Sequence, residues 1–201
     1  MQVRLGQVDG ATTQIVVMLT SIAYLPGVGL ALAGTTLVGQ AIGAGDRDWA
    51  RRLGNSVIAV TTGYMGAVGV LLALLGPWVM PLFVSATDPQ ATEVVALGIV
   101  LLWIAAGYQL FDGLQLGSGF ALRGAGDVRV PAMIFFGLAW GVFVPLAHML
   151  SFAPGEGWFD GLPQFGYGAV GGWFALLIYV VLLAGAMHLR WRASAWQRIR
   201  L

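Results

Sequence analysis

The 201-residue sequence contains no cysteine and no lysine, and only 9% of its residues are charged. Without cysteine, neither a disulfide nor a thiolate-bound metal site can form. Without lysine, the chain has no glycine-rich phosphate loop of the type that serves nucleotide-driven pumps. A soluble domain carries about 25% charged residues, so the low charge excludes an ordinary soluble protein. The formal net charge of +1 gives no indication of nucleic-acid binding, and we expect none.

Apolar residues make up 58% of the chain and are concentrated in five long stretches with almost no charge. Each stretch reaches the roughly 20 residues that a helix needs to cross a bilayer. We therefore predict an all-α polytopic membrane protein with five transmembrane helices. The predicted spans lie near residues 12–43, 54–84, 92–122, 130–152 and 167–189.

The longest stretches exceed one straight span, which predicts breaks within them. Proline removes a backbone donor and clashes with the preceding turn of a helix. One break is predicted at Pro26 and Gly27 and another at residues 76 and 77. Gly113 and Pro145 are further predicted bending points.

The distribution of arginine predicts the orientation of the chain in the membrane. Nine of the ten arginines lie on one side of the predicted spans. By the positive-inside rule, the loops after the first and third spans and the C-terminus are cytoplasmic, and the N-terminus is outside the inner (cytoplasmic) membrane. Residues 190–201 are predicted to form an interfacial tail held by anionic lipid. The nine arginines are Arg47, Arg51, Arg52, Arg123, Arg129, Arg190, Arg192, Arg198 and Arg200.

The N-terminal stretch "MQVRLGQVDGATTQ" shows no signal peptide with a basic segment and a cleavable apolar core. Because the N-terminus is predicted outside, we expect an upstream part of the protein to be missing from this sequence. A protein that naturally inserts with its N-terminus outside is the alternative.

The tetrapeptide Gly-Ala-Gly-Asp occurs twice, at residues 43–46 and 124–127, at the ends of predicted spans that run in the same direction. Such a repeat is typical of transporters built from duplicated hairpins. For these residues themselves we favour a local structural role. Glycine adopts the left-handed conformation that ends a helix, and Asp46 or Asp127 then caps the next helix.

Asp112 is the only charged residue between Glu93 and Arg123, in the third predicted span. A carboxylate at the centre of a membrane helix costs roughly 2.5–3.5 kcal/mol on insertion scales, so it is expected to face the protein interior or water. Tyr108, Gln109 and Gln115 lie three or four residues away, on the same helix face. This polar stripe predicts a Na+ or H+ site at Asp112. A buried structural carboxylate satisfied by a neighbouring helix is the alternative interpretation.

Other chemistries are weakly indicated. Ser118 and His148 are compatible with an intramembrane serine protease, but Ser118 lacks the glycine two residues earlier that such proteases carry. His148 and His188 are far apart in the sequence and predict no metal site. We therefore predict no enzymatic activity, no cofactor and no metal apart from Na+ at Asp112.

Three motifs resemble the C-terminal part of multidrug and toxic compound extrusion transporters. "LPGVGLALAGTTLVGQAIGAGDRDWARR" is similar to the family's first-repeat signature, with a proline-glycine break, Val-Gly-Gln and a Gly-Ala-Gly turn. "YQLFDGLQLGSGFALRGAGDVRVP" is similar to its Gln-x-x-Asp-x-x-Gln and Leu-Arg-Gly-x-Gly pattern. "FVPLAHML" followed by "GYGAVGGWFAL" is similar to its closing pair. Together these motifs cover nearly the whole chain in the right order.

The resemblance implies a transporter of twelve helices in two six-helix lobes, in which our five spans are the eighth to the twelfth. Residues 1–201 would then form an incomplete C-terminal lobe, with the N-terminal lobe and the seventh helix as missing partners. Bacterial members of the family exchange organic cations for Na+ or H+. They hold the ion at an aspartate on the tenth helix, with a tyrosine one turn before it, and these positions match Asp112 and Tyr108. The family's partner glutamate on the seventh helix has no counterpart here.

Three glutamines are further candidate site residues, and two alternative functions are open. Gln109, Gln115 and Gln40 are candidates for lining the substrate or cation site because of their polarity and helix face. One alternative function is a lipid-linked oligosaccharide flippase, which should need several cationic cavity residues, whereas Arg123 is the nearest candidate. Another is a membrane structural subunit without transport. The sequence does not distinguish Na+ from H+ or identify the exported substrate.

Overall fold

A computed structural model describes residues 7–85, 89–157, 159 and 161–198 of the chain. Within those ranges the regular structure is helical, and no strand is present. Five helices are long and apolar enough to cross a membrane, which confirms the predicted fold class. They run over Val8–Gly43, Arg47–Phe83, Ala91–Gly124, Arg129–Ser151 and Gly168–Arg192.

The five spans contain six α-helices, because the fourth span is divided. The helices are α1 (Gln7–Gly43), α2 (Arg47–Val79), α3 (Ala91–Gly124), α4 (Arg129–Leu138), α5 (Val144–Ser151) and α6 (Gly168–Arg192). A 3-10 turn over Met80–Phe83 ends the second span, a π-helical segment over Ala139–Phe143 joins α4 to α5, and a 3-10 turn over Ala195–Arg198 follows α6.

The two Gly-Ala-Gly-Asp segments share their glycine conformation but not the role of their aspartate. Gly45 and Gly126 both have positive φ, at 82° and 79°, as expected for glycines that end a helix. Asp46 caps α2 by accepting a 2.8 Å hydrogen bond from the Trp49 amide. The capping role predicted for Asp127 is wrong: Val128 stands at the N-cap of α4, and Asp127 instead pairs with Arg190 of α6.

α1 and α3 continue without interruption through Pro26, Gly27 and Gly113, so the helix does not end at these residues, and their role in bending stays a prediction. Proline frees the carbonyl of the residue four positions earlier. That carbonyl belongs to Ile22, and the Tyr64 hydroxyl of α2 donates to it at 3.4 Å, so a neighbouring helix compensates for the missing donor.

Gly27 and Gly113 are places where neighbouring helices approach closely. A Cβ at Gly27 would lie 2.6 Å from the Met65 sulfur, and one at Gly113 would lie 2.9 Å from the Thr61 carbonyl oxygen. Small residues at such positions let membrane helices pack backbone to backbone. Both glycines are therefore explained by packing against α2.

The other two predicted breaks fall close to real changes of helix type. α2 continues through Pro77 and passes into the 3-10 turn only at Met80. The fourth span contains the π-helical segment, and Pro145 follows directly after it in α5. The bend predicted at Pro145 therefore corresponds to a real irregularity in the helix.

α3 is the central helix and packs against α1, α2 and α6, while α4 and α5 pack mainly against α6. Of residues 129–138, all of which the structure describes, none is buried. Large apolar side chains such as Phe136 and Trp140 are exposed there, which suits contact with lipid or with further helices.

The arginine-bearing segments lie at one end of the helix bundle, as the orientation prediction requires. The Trp191 indole of α6 donates a 2.9 Å hydrogen bond to Asn55 near the start of α2. Arg190 pairs with Asp127 in the turn between α3 and α4 at 2.7 Å. Of the predicted interfacial tail, residues 199–201 and the Arg198 side chain lie outside the described part. Trp196 in that tail is buried and stacks on Trp191 at 4.7 Å, so this part folds back onto the protein.

Candidate ion-coupling site

Asp112 lies within α3, where it is only 7% exposed. Its Oδ2 has no hydrogen-bond partner among the residues that the structure describes. The phenol of Tyr108, one helical turn earlier, interacts with the Asp112 carboxylate. The polar stripe predicted from the sequence therefore places these two side chains together, with one carboxylate oxygen left available.

Tyr179 of α6 is a member of this site that sequence reasoning missed. It interacts electrostatically with Asp112, and its hydroxyl is buried without a partner in the described part of the chain. The Tyr179 ring packs between Phe135 and Phe143, at centroid distances of 6.3 Å and 5.4 Å. The only available signal was a hydroxyl within an apolar span, and nothing local in the sequence connects it to Asp112.

A cavity of about 240 Å³ lies between α1, α3 and α6. Tyr108 and Gln109 line it, as do Thr20, Tyr24 and Trp173. The Trp173 ring meets Tyr108 edge to face, with 6.3 Å between centroids and planes at 89°. Asp112 is not among the lining residues, so Tyr108 connects the buried carboxylate to the cavity.

Gln109 lies within the protein and ties α3 to α1. Its Nε2 donates a 2.9 Å hydrogen bond to the Thr20 carbonyl oxygen, and the side chain is fully buried. Its Oε1 has no partner among residues 7–85, 89–157, 159 and 161–198, so it is an acceptor next to the cavity. Gln109 thus lines the cavity, as predicted, and also links α3 to α1.

The other two glutamines are not brought to this cavity. Gln40 is exposed near the end of α1. Gln115 is half-buried on α3, with its Nε2 3.9 Å from the position that a Cβ at Gly119 would take. Their roles in substrate or cation binding stay predictions.

Oxygen atoms are the ligands that hard cations prefer. Asp112 Oδ2 and the Tyr179 hydroxyl are unpaired among the described residues, and the Tyr108 hydroxyl interacts with the Asp112 carboxylate. No group of three or more His, Cys, Asp or Glu side chains occurs in the described residues, so the arrangement differs from that of a multi-carboxylate metal centre. One carboxylate with neutral oxygens fits a monovalent cation or a proton.

The residues considered for a serine protease are arranged differently from such a site. His148 is in the last turn of α5, where its Nε2 accepts from the Phe159 amide at 3.3 Å. The fully buried Ser118 Oγ instead lies 3.5 Å from Nδ1 of His188. Ser118 and His148 are therefore not paired.

Comparison with known proteins identifies the family. Residues 1–149 match the sequence model that defines the MatE family. The chain belongs to the MatE family. It is 31% identical over 189 residues to a probable multidrug resistance protein NorM of Brucella suis, 34% over 197 residues to one of Pseudomonas syringae pv. tomato, and 35% over 196 residues to one of Pseudomonas aeruginosa.

These alignments cover most of the MatE chain but a minor part of each relative. They include 94%, 98% and 95% of this chain, and 38%, 40% and 36% of the three NorM proteins. The chain therefore spans about two fifths of the length of the curated relatives that it matches.

Proposed function

We propose that this MatE chain is part of a secondary active antiporter that exports organic cations in exchange for Na+ or H+, with Asp112 as the coupling site. One observation carries the proposal: a carboxylate within a membrane-spanning helix is buried with one oxygen unpaired. The multidrug resistance names of its relatives support the direction and type of transport.

The coupling follows from electrostatics. An ionised carboxylate surrounded by apolar helices is unfavourable, so a cation that neutralises it is bound strongly. Na+ would be held by Asp112 Oδ2 with the hydroxyls of Tyr108 and Tyr179, whereas H+ would need only the carboxylate. Because both ions and an organic cation respond to the same negative charge, binding of one weakens binding of the other.

Tyr108 is the side chain that connects the ion site to the cavity. Its hydroxyl interacts with Asp112, and its ring lines the cavity against Trp173. When an ion neutralises Asp112, the attraction between the Tyr108 hydroxyl and the carboxylate weakens and the ring can shift. This change would release a substrate bound between Tyr24, Trp173 and Gln109.

The complete transporter would need more than the described helices. The chain spans about two fifths of its relatives, so we infer that an N-terminal lobe and a further helix complete the substrate pathway. We also infer that the arginine-bearing end is cytoplasmic and that the protein lies in the inner membrane. The irregular junction between α4 and α5 is a suitable place for bending during alternating access.

The oligosaccharide flippase is less well supported. None of the residues that line the 240 Å³ cavity, the proposed substrate site, is cationic, whereas transport of a phosphate-bearing lipid through that site would need positive charge there. A purely structural subunit is also less well supported, because a structural carboxylate should have both oxygens satisfied by a fixed partner.

Efflux of a fluorescent organic cation from vesicles that contain the complete gene product tests the proposal. Asp112→Asn should abolish efflux under both an imposed Na+ gradient and an imposed proton gradient, with normal membrane abundance. The wild-type response to each gradient identifies the ion.

Asp46→Asn is the matched control, because it makes the same chemical change at an exposed cap where asparagine serves equally well. Unchanged efflux in Asp112→Asn would contradict the proposal. If Asp112→Asn fails to fold and wild-type efflux responds to neither gradient, the structural alternative is favoured.

A further inference from the structure

A second and larger cavity, of about 590 Å³, lies between α2, α3 and α6 at the arginine-bearing end of the bundle. It does not share a lining residue with the cavity beside Tyr108. Arg51 and Asn55 of α2 and Arg192 of α6 form its polar end, while Ile58 and Leu114 lie among its apolar residues.

Both arginines at this cavity are available for a ligand. No carboxylate among the described residues lies within 4 Å of the guanidinium of Arg51 or Arg192. Neighbouring arginines differ: Arg190 is paired with Asp127 at 2.7 Å, and Arg52 lies over the Trp49 ring at 5.9 Å. Two uncompensated positive charges therefore face one cavity.

The polar end of the cavity is held in place by the protein core. Asn55 Oδ1 accepts a hydrogen bond from the Trp191 indole at 2.9 Å, which leaves the Asn55 amide nitrogen to donate elsewhere. Trp191 is buried, contacts Gly54 closely and stacks on Trp196. A ligand at this end would meet an Asn55 amide group whose position is already set.

The two arginines lie at the helix-end side of the cavity, and most of the lining further along α2 and α3 is uncharged. Its lining on α2 runs from Arg51 to Thr62 and Gly63. Arg51 and Thr62 are three turns apart, which is about 16 Å along an α-helix. Charge at the helix end and an apolar wall deeper in the span match a molecule with an anionic head and a hydrocarbon tail.

We propose that this cavity binds an anionic phospholipid of the cytoplasmic leaflet. Its phosphate lies on Arg51 and Arg192, with Asn55 as a further donor, and one acyl chain lies along Ile58 and Leu114. Basic pockets between membrane helices on the cytoplasmic side bind anionic headgroups in this way. The inference depends on the proposed orientation but not on ion coupling at Asp112.

Native mass spectrometry of the complete gene product in mild detergent measures this binding directly. The probes are phosphatidylglycerol, phosphatidylcholine with the same acyl chains, and inorganic phosphate. Phosphatidylglycerol should bind more tightly than phosphatidylcholine. Arg51→Gln combined with Arg192→Gln should weaken phosphatidylglycerol binding roughly thirtyfold, which corresponds to about 2 kcal/mol for the loss of two arginines.

Arg47→Gln combined with Arg52→Gln is the matched control, because it removes the same charge from α2 outside the cavity. This variant should bind phosphatidylglycerol like the wild type. Equal loss in the two double variants would mean general attraction to positive charge and would overturn the proposal. Equal binding of the two lipids, or no binding by the wild type, would overturn it as well.

Gly63→Leu separates a lipid from free phosphate as the ligand. A Cβ at Gly63 meets nothing within 4 Å, so a larger side chain fits and fills the apolar part of the cavity. It should weaken phosphatidylglycerol binding and leave the arginines intact. Undiminished lipid binding in Gly63→Leu, with displacement by inorganic phosphate, would identify a phosphate site instead and overturn the lipid assignment.

Discussion

The Tyr64 hydroxyl of α2 donates a 3.4 Å hydrogen bond to the carbonyl of Ile22 in α1, the carbonyl whose usual donor is lost at Pro26. A side chain of one helix thereby substitutes for a backbone N–H of its neighbour. This contact allows α1 to remain helical across a proline that would otherwise leave an unsatisfied carbonyl in the membrane.

Tyr64→Phe should therefore lower the free energy of unfolding by about 0.5–1 kcal/mol, at the low end for a neutral hydrogen bond because the contact is long. Thermal unfolding in detergent measures the change. In a Pro26→Ala background the helix regains its own donor, so the same substitution should cost less. An equal cost in both backgrounds would show that the hydroxyl does not serve the freed carbonyl.

Gly113→Ala should destabilise the packing of α3 on α2. The added Cβ would lie 2.9 Å from both the Thr61 carbonyl oxygen and the Thr62 Cα, and overpacking of this kind costs about 1–3 kcal/mol. Gly107→Ala, in the same helix, is the control because its nearest neighbour would be the Leu177 Cδ1 at 3.6 Å. Gly113→Ala should have a lower unfolding midpoint than Gly107→Ala. Equal midpoints would contradict the close approach of α3 to α2 at Gly113.

The ion pair between Asp127 and Arg190 should stabilise the joint between the α3–α4 turn and α6. Asp127 is 3% exposed and Arg190 is 28% exposed, so the pair is only partly screened by solvent. Asp127→Asn should lower the free energy of unfolding by about 1.5–3 kcal/mol, the value of a hydrogen bond to a charged group. In an Arg190→Gln background, Asp127→Asn should lower the free energy of unfolding by much less. If the losses from the two substitutions simply add, the two side chains do not stabilise the protein as a pair.

Tyr179→Phe should separate stability from function. The Tyr179 hydroxyl is buried without a partner in the described residues, so its removal should leave the unfolding midpoint unchanged or slightly raised. If the hydroxyl is an ion ligand beside Asp112, the Na+ concentration needed for half-maximal efflux should rise several-fold. Tyr167→Phe, at an exposed ring near the start of α6, should change neither quantity. A fall in stability without a change in ion dependence would assign Tyr179 a packing role.

The number of spans and their approximate positions could be predicted from the sequence because they depend on local properties. Hydropathy and length within one stretch decide whether a helix can cross a bilayer. The predicted start at residue 54 was nevertheless late, since α2 begins at Arg47. The reason is that its first turn carries charged residues outside the apolar stretch and is held by the Asp46 cap.

The neighbourhood of Asp112 could be predicted only along its own helix. Tyr108 lies one turn away, and helical periodicity is sufficient to place it on the same face. Tyr179 and Trp173 come from α6, and their approach depends on how that helix is rotated and paired. No local pattern contains this information.

Hydropathy alone thus specifies a polytopic helical chain with one carboxylate inside a span, where a charged group is energetically unfavourable. The reason is that the bilayer requires a minimum length and hydropathy of each segment separately. Which groups surround that carboxylate, how the freed Ile22 carbonyl is satisfied, and which arginines stay without a carboxylate partner in the described residues depend on contacts between segments distant in the chain. Those contacts arise from the packing of small residues and side chains across helix pairs, and they appear only when the helices are assembled.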